Sequence, residues 1–310
     1  MWVLLAFCSA LCLGFYDISK KIALRDNAVV DVLTASVLIS SCILCVPLLL
    51  SRLVPDTMFG TPFHVPPMDL RGHLLTVVKS AIVLSSWVFA YISLKHLPIS
   101  VVSPWQATRP MWTLVGAMLI FGERLNGWQS LGVILAIGSI LAFSIATHSI
   151  RLNRAIVNRP TVNKYYVCLA LAILIGAGSG LYDKYMMRQF DHNAVQVYYT
   201  FYQALMMLVV WLIVNRKNRP INRAIVNRPI VNLPAVIAIS VFLVLSDNVY
   251  MLALQDPDSM IAVVSTIRRG GAVIAFAYGL IFLKEPDPWK KIVSMIGVLA
   301  GLVCLAIGSL

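Results

Sequence analysis

Three arginines lie inside long apolar stretches of this 310-residue chain, where a charged side chain needs a partner. Arg109 stands between Pro104 and Pro110, and Arg268 and Arg269 are followed by two glycines. An ionised side chain at the centre of a membrane helix costs on the order of 2.5–3.5 kcal/mol on insertion scales, so it should pair with an acid or face a watery cavity. A guanidinium group in such a cavity favours a carboxylate or another anionic group.

The prolines and glycines beside these arginines weaken the helices that carry them, because they free backbone groups or loosen the helical turn. An interrupted helix is tolerated at membrane depth where its backbone lines a cavity. Two discontinuous helices, one with Arg109 and the other with Arg268 and Arg269, are therefore expected near the centre of the membrane.

Further polar and aromatic residues share the predicted helices with these arginines. Asp247 and Lys79 are the other deep charges, and an Asp247–arginine salt bridge could simply hold the helices in register. Alternatively, at least one arginine faces the path of a solute. Amphipathic side chains would then offer stacking surfaces and hydrogen bonds, although they suit packing between helices equally well. The candidates for solute binding are Arg109, Arg268, Arg269, Trp87, Tyr91, Trp105, Gln106, Asp247, Asn248 and Tyr250.

The composition of the chain requires a membrane. Hydrophobic residues make up 59% of it and charged residues 12%, the mean hydropathy is +0.84, and apolar runs of about 20 residues recur. Most of the Lys and Arg residues behind the formal charge of +12 lie in short loops, where they set topology and contact anionic lipid headgroups. A nucleic-acid partner is therefore not expected, and neither are a cofactor or a metal, since the six cysteines lack a zinc-binding pattern.

The chain divides into ten predicted spans and two halves, an all-α membrane fold. The predicted spans are residues 2–20, 32–51, 74–94, 98–121 and 127–148, then 165–187, 194–214, 233–254, 259–283 and 289–309. Residues 1–148 form the first five-helix repeat, 149–164 a connecting loop and 165–310 the second repeat. The loop carries a dodecamer, "LNRAIVNRPTVN", that recurs almost unchanged at 221–232 and is read as an inserted element without a substrate role.

The two halves share the positions of turns and of individual polar and aromatic residues, as well as their apolar residues. The stretches 94–138 and 254–301 both contain a Pro-bearing turn, a helix with central Arg, a terminal Glu and then a Trp. Because each half has an odd number of spans, the halves should be inverted relative to each other, as in many secondary transporters, and both termini should lie on one side. Glycine-rich segments such as "GVILAIG", "GAGSG" and "GVLAG" are read as helix-packing surfaces, and Glu123 as interfacial structure.

A motif near the end of the first span, "GFYDISKK" at 14–21, is echoed by "GLYDKYMMR" at 180–188. Two interpretations stand. In one, the motif lies at the membrane interface, with Lys20 and Lys184 extending to lipid headgroups and the tyrosines in an aromatic belt. In the other, these residues are gates or proton carriers that close opposite mouths of a cavity in alternation. The residues concerned are Tyr16, Asp17, Tyr182 and Asp183.

The segments "FGERLNGWQSLGVILAIGSILA" (121–142) and "FLKEPDPWKKIVSMIGVLAGLVC" (282–304), with the ten-span plan, resemble the EamA branch of the drug/metabolite transporter superfamily. The resemblance implies a secondary transporter in the bacterial inner (plasma) membrane, often an exporter of amino acids, metabolites or drugs. It also implies that both termini are cytoplasmic. The positive-inside count gives the opposite orientation, because most basic residues lie in the odd-numbered loops.

The function expected from the sequence is therefore export of a small organic solute, an amino acid or other carboxylate-bearing molecule, from a midplane cavity between the repeats. Protons are the candidate coupling ion. The alternative is a proton-coupled exporter of cationic drugs that uses Asp247 and aromatic residues. An intramembrane enzyme is disfavoured because the chain carries no HExxH, GxSxG or Walker-type motif, and midplane breaks argue against a channel.

Overall fold

The computed structural model describes residues 1–23, 27–96, 105, 108–147, 160–218, 232–281 and 288–308. Every regular element in these ranges is helical. The helices are α1 (Trp2–Ala23), α2 (Val29–Leu53), α3 (Pro55–Met58), α4 (Leu70–His96), α5 (Arg109–Phe121), α6 (Gly127–Thr147), α7 (Pro160–Met187), α8 (His192–Asn218), α9 (Leu233–Gln255), α10 (Ile261–Arg269), α11 (Ala272–Ile281) and α12 (Pro288–Gly308).

Among the described residues, six helices are long and apolar enough to cross a membrane: α1, α2, α4, α7, α8 and α9. Their apolar segments contain 19 to 24 residues, close to the roughly 20 residues that a hydrocarbon core of about 30 Å requires. Helix α5 and the end of α12 are shorter apolar helices. The predicted all-helical membrane class is confirmed, and the count of ten spans stays a prediction.

The structure divides the ninth predicted span, 259–283, into α10 and α11, as expected for a discontinuous helix. The break falls at Gly270 and Gly271, whose N–H groups bond the carbonyl oxygens of residues only three positions earlier. A Cβ atom at Gly271 would collide with the backbone of α1 at Ala10 and Gly14. Glycine is therefore required where α1 crosses the break, a packing role that the sequence analysis did not assign to Gly271.

The fourth predicted span, 98–121, places Arg109 near its middle, whereas Arg109 is the first residue of α5 in the structure. Thr108 precedes the helix, and Pro110 occupies its second position, where the missing N–H of proline is tolerated. Gln106 and residues 97–104 lie outside the described residues. The arginine therefore stands at a helix end rather than within a continuous span.

The helices pair in a pattern that repeats when the two halves are exchanged. Helix α1 packs along α9, and α4 packs along α7, which is the same pair after exchange. The other main pairs, α6 with α12 and α2 with α8, each join equivalent helices. This pattern supports two equivalent halves, while their boundaries at 1–148 and 165–310 stay a prediction.

Both ends of the described chain lie on one side of the bundle. Helices α1 and α9 run antiparallel, since Ser9 bonds Ser246 and Phe15 stacks on Phe242, so the start of α1 lies beside the end of α9. The last residue of α12, Gly308, accepts a hydrogen bond of 2.6 Å from Asn126 in the loop after α5. That loop contacts the start of α10, which follows α9 directly.

Helices α6 and α12 approach closely because glycines face each other at their crossing. A Cβ atom at Gly132 would meet the carbonyl oxygen of Gly301, and one at Gly301 would meet the carbonyl oxygen of Gly132. Close backbone approach of this kind maximises dispersion contacts, which drive helix association where the surroundings are already apolar. These two glycines therefore have the packing role that the sequence predicts.

We expect Gly132→Ala to lower the free energy of unfolding by roughly 1–3 kcal/mol, because the added methyl group overpacks the α6–α12 contact. The matched control is Gly138→Ala on the same helix, where a Cβ atom has no neighbour within 4 Å. Thermal unfolding of the two purified variants in detergent measures the difference. Equal loss in both variants would contradict this packing.

Candidate solute-binding site

Arg268, near the end of α10, forms the salt bridge that the sequence allowed. Its Nη2 donates to Asp247 Oδ1 at 2.8 Å and to the hydroxyl of Ser246 at 3.2 Å. The guanidinium carbon lies 4.0 Å from the ring centroid of Tyr250, a cation–π distance. The charge of Arg268 is therefore neutralised within the protein.

A second ion pair joins Lys79 on α4 to Asp183 on α7. Lys79 is only 2% exposed, and its Nζ also lies 4.6 Å from the ring centroid of Tyr199. The hydroxyl of Tyr250 donates to the other oxygen of Asp183 at 3.4 Å. Since Tyr250 also underlies Arg268, one polar network connects α4, α7, α9 and α10.

The interfacial interpretation of the second motif is wrong for Lys184, which is 1% exposed instead of extending to headgroups. Its Nζ donates to two backbone oxygens, that of Ser259 at 2.6 Å and that of Asp256 at 3.4 Å, and also to the hydroxyl of Ser259. The turn between α9 and α10 folds over the end of α7 and supplies these acceptors. Asp183 is likewise buried, and Tyr182 donates to the backbone of Leu75 at 3.1 Å.

The first motif has different surroundings. Tyr16 packs beside a small cluster formed by α1, α2 and α9, and Lys20 Nζ lies 5.6 Å from its ring centroid. Asp17 is exposed in the structure and makes no hydrogen bond or ion pair with a described residue. The gating or proton-carrying roles of Tyr16, Asp17, Tyr182 and Asp183 stay predictions.

Arg109 is partly buried and has no acidic partner among the described residues. Its Nη2 donates to the hydroxyl of Ser86 at 3.1 Å and to the carbonyl oxygen of Ala172 at 3.3 Å. Its Nε is buried and unpaired. The guanidinium lies directly over Gly176, because a Cβ atom there would overlap it. Gly176 was read as a helix-packing residue, and in the structure it makes room for a charged group.

The two central arginines have equivalent serine contacts and different neighbours beyond them. Arg109 bonds Ser86 as Arg268 bonds Ser246, at nearly equal distances. The residue after Ser246 is Asp247, whereas the residue after Ser86 is Trp87. An indole therefore stands in the first half at the position where the second half has the neutralising carboxylate.

Arg269, next to the helix break, also lacks a direct partner. No hydrogen-bond or ion-pair partner lies within reach of its side chain in the described ranges, and Asp17 is the acid that interacts with it at longer range. Arg109 and Arg269 are near enough to affect each other electrostatically. Because Lys79, Asp183, Arg268 and Asp247 balance one another, positive charge remains on Arg109 and Arg269.

A small cavity lies between α2, α8 and α9. Its walls include Asp247 and a polar face of α8 that the sequence analysis did not single out. The lining residues are Val37, Ser40, Gln196, Tyr199, Thr200, Gln203, Leu243, Val244 and Asp247. The four α8 residues follow the spacing i, i+3, i+4 and i+7 and therefore share one face of the helix. This polar face on an apolar helix is the sequence signal that could have indicated the cavity.

The remaining predicted residues are dispersed. Asn248 donates to Asn193 and Gln196 at 2.9 and 2.8 Å, in an amide network beside the cavity. Trp105 is exposed, with its ring centroid 6.3 Å from that of Tyr166. Trp87 is half-buried, and neither the side chain of Tyr91 nor Gln106 belongs to what the structure describes.

Glu123, in the loop after α5, caps helix α10. Its two carboxylate oxygens accept the N–H groups of Ile261 and Ala262 at 2.7 and 3.2 Å. Burial raises the pKa of the Glu123 carboxyl above its ordinary value, and the two N–H bonds oppose that rise. A carboxylate at this place also complements the positive end of the helix dipole, so Glu123 joins the end of α5 to the start of α10.

Long apolar helices with these charges enclosed between them define a multi-pass helical membrane protein. Residues 1–145 match the family model described as the EamA-like transporter family. This match covers just under half of the chain and agrees with the resemblance drawn from the motif at 121–142.

The fold likeness extends beyond the matched half. A solved structure described only as "Crystal structure of protein" aligns with a TM-score of 0.72 over 99% of this chain and 97% of that one. Sequence identity is 10%, so the likeness concerns the fold alone. No curated protein matches the sequence significantly.

We expect Lys79→Met and Asp183→Asn each to lower the free energy of unfolding by about 3–5 kcal/mol, because each leaves a buried charge without its partner. The double variant should lose much less than the sum of the two, since no unpaired charge remains. Thermal unfolding in detergent checks this, with the exposed Lys164→Met as control. Additive losses would contradict an ion pair.

Proposed function

We propose that this protein is a secondary active transporter that exports a small organic solute bearing an anionic group, an amino acid or another carboxylate. The observation that carries the proposal is the partly buried guanidinium of Arg109, which lies over Gly176 and has no acidic partner in the part of the chain that the structure describes. The family model that residues 1–145 match describes transporters, and this match supports transport rather than catalysis.

The electrostatics of Arg109 favour a ligand as the missing partner. Arg268 shows how the same chain neutralises an arginine, with a carboxylate 2.8 Å away. Arg109 keeps the equivalent serine bond, and its Nε and Nη1 make no hydrogen bond with a described residue. Carboxylates bind guanidinium groups with short, charge-assisted hydrogen bonds, so an anionic solute would remove the cost of the unpaired charge.

Alternating access would use the interrupted helix. The break at Gly270 and Gly271 separates α10 from α11 next to Arg268 and Arg269, so the two pieces can tilt separately. On the side that carries both ends of the chain, the halves are joined by Lys79–Asp183 and by the Glu123 cap. We infer that these contacts hold that side closed and break when it opens. The membrane in this proposal is the plasma membrane.

The coupling ion in this proposal is a proton. Asp183 is buried against Lys79, while Asp17 is exposed at the opposite end of the bundle. Carboxyl groups at opposite mouths of a cavity could exchange protons with opposite sides of the membrane, with Tyr16 and Tyr182 as gates. This role is the gating or proton-carrying interpretation of the repeated motif.

A second candidate function is proton-coupled export of cationic drugs. The observation in its favour is Asp247, which lines the α2–α8–α9 cavity. In this case Arg109 would be a structural residue, and its bonds to Ser86 and Ala172 would suffice to hold it in place.

Flux of solutes into or out of proteoliposomes tests the proposal, with amino acids, organic acids and cationic dyes compared with and without a proton gradient. We expect saturable flux of an anionic or zwitterionic solute to fall about tenfold or more in Arg109→Gln, because a charge-assisted hydrogen bond is lost. Gly176→Ala should reduce the same flux, because its methyl group displaces the guanidinium.

The matched control is Gly178→Ala on the same helix, where a Cβ atom meets nothing within 4 Å. Its flux should equal that of the unmodified protein. Flux limited to cationic dyes, unaffected by Arg109→Gln and abolished by Asp247→Asn, would overturn the anionic solute in favour of the second candidate.

A further inference from the structure

We propose that the α2–α8–α9 cavity binds a small monovalent cationic group, an ammonium group or an alkali ion, with Asp247 as its counter-charge. The inference rests on the proposed function, since a transporter that binds an anionic group at Arg109 and a cation at Asp247 would carry a zwitterionic solute or a co-transported ion.

The carboxylate of Asp247 is only half used by its salt bridge. Oδ1 accepts the bond from Arg268, and Oδ2 makes no hydrogen bond within the described part of the chain. The side chain of Asp247 keeps 22% of its surface exposed, and the residue forms part of the cavity wall. One charged oxygen is therefore free to bind an occupant.

The hydroxyl groups in the cavity wall are acceptors toward an occupant. Thr200 Oγ1 donates to the carbonyl of Gln196 at 2.8 Å, and Ser40 Oγ donates to the carbonyl of Ser36 at 2.9 Å. Since each hydroxyl hydrogen is already used, only oxygen lone pairs remain for a ligand. Oxygen lone pairs with a carboxylate suit an ammonium group or a hard cation.

The described residues that line the cavity include no Lys or Arg. The two bases nearest to the lining are already paired, Arg268 with Asp247 and Lys79, at the ring of Tyr199, with Asp183. The described lining therefore offers a cation one unused carboxylate oxygen, and it offers an anion no charged partner.

Gln203 adds a condition on the occupant. Its side chain is 3% exposed, and Nε2 is a buried donor without a hydrogen-bond partner. A buried unpaired donor is costly, so the occupant should bring an acceptor oxygen, such as a solute carbonyl or a single water that stays bound to an ion.

The size of the cavity limits the occupant. The space open to the centre of a water-sized sphere is only about 20 Å³, far below the roughly 300–1,000 Å³ typical of sites for drug-sized ligands. A small ammonium group or an alkali ion without its hydration shell fits this space, whereas a bulky cationic drug does not.

Thermal unfolding of the purified full-length protein in detergent tests the proposal at constant ionic strength. The probes are methylammonium chloride and sodium chloride, with choline chloride as the larger cation of equal charge. We expect methylammonium or sodium to raise the unfolding temperature and choline to leave it unchanged, because a ligand that binds only the folded state stabilises it. Stabilisation by methylammonium alone assigns the site to a solute's ammonium group, and stabilisation by sodium assigns it to a separate ion.

Two variants locate the binding. Asp247→Asn keeps the shape and removes the charge, and Thr200→Val keeps the volume and removes one acceptor. We expect Asp247→Asn to weaken the apparent affinity about tenfold or more, and Thr200→Val to weaken it less, as expected for charged and neutral hydrogen bonds. Asp258→Asn, which removes an equal charge from an exposed loop, should leave binding unchanged.

The cation site is overturned if neither small cation stabilises the protein more than choline does, or if Asp258→Asn weakens binding as much as Asp247→Asn. If Asp247→Asn does not fold, the test rests on Thr200→Val, and unchanged cation binding in that variant would overturn the cation site. Propionate, an anion without an amine, tests the anion site at Arg109 separately from the cation site. Stabilisation by propionate that is lost in Arg109→Gln would support the anion site alone.

Discussion

The structure depends on one constraint, which is that charges inside a hydrocarbon core must find their partners within the protein. Lys79 pairs with Asp183, Arg268 pairs with Asp247, and Tyr250 touches both pairs. These contacts fix the relative positions of α4, α7, α9 and α10, where apolar packing alone discriminates poorly among registers. The ion pairs therefore specify which helices meet, and the glycines determine how closely.

The two halves solve the same problem with different residues. The helix pairing is symmetric, and the arginine–serine contacts on α5 and α10 are symmetric as well. The symmetry ends at the next residue, where Trp87 corresponds to Asp247. A symmetric framework can thus hold an asymmetric charge, and a net positive region arises without any change in backbone architecture.

The sequence predicted the membrane class, most helix positions and the interruption at Gly270, and it left a bridge between Asp247 and an arginine as one of two alternatives. Composition and breakers suffice for these features because they depend on local chemistry. The burial of Lys184 could not be predicted, because it depends on a turn after α9 that folds over the end of α7. Adjacent residues on a helix point about 100° apart, so sequence alone could not assign the salt bridge to Arg268 rather than Arg269. The cavity required knowledge of which helix faces the polar stripe of α8.

The Glu123 cap has a consequence for how this protein can evolve. Its carboxylate binds two main-chain N–H groups, Ile261 and Ala262, and makes no use of their side chains. Most residues other than proline present the same N–H group, so substitutions in the first turn of α10 can accumulate while the joint persists. Substitutions are therefore tolerated unequally at this contact: Glu123 is constrained, whereas the side chains in the first turn of α10 can vary.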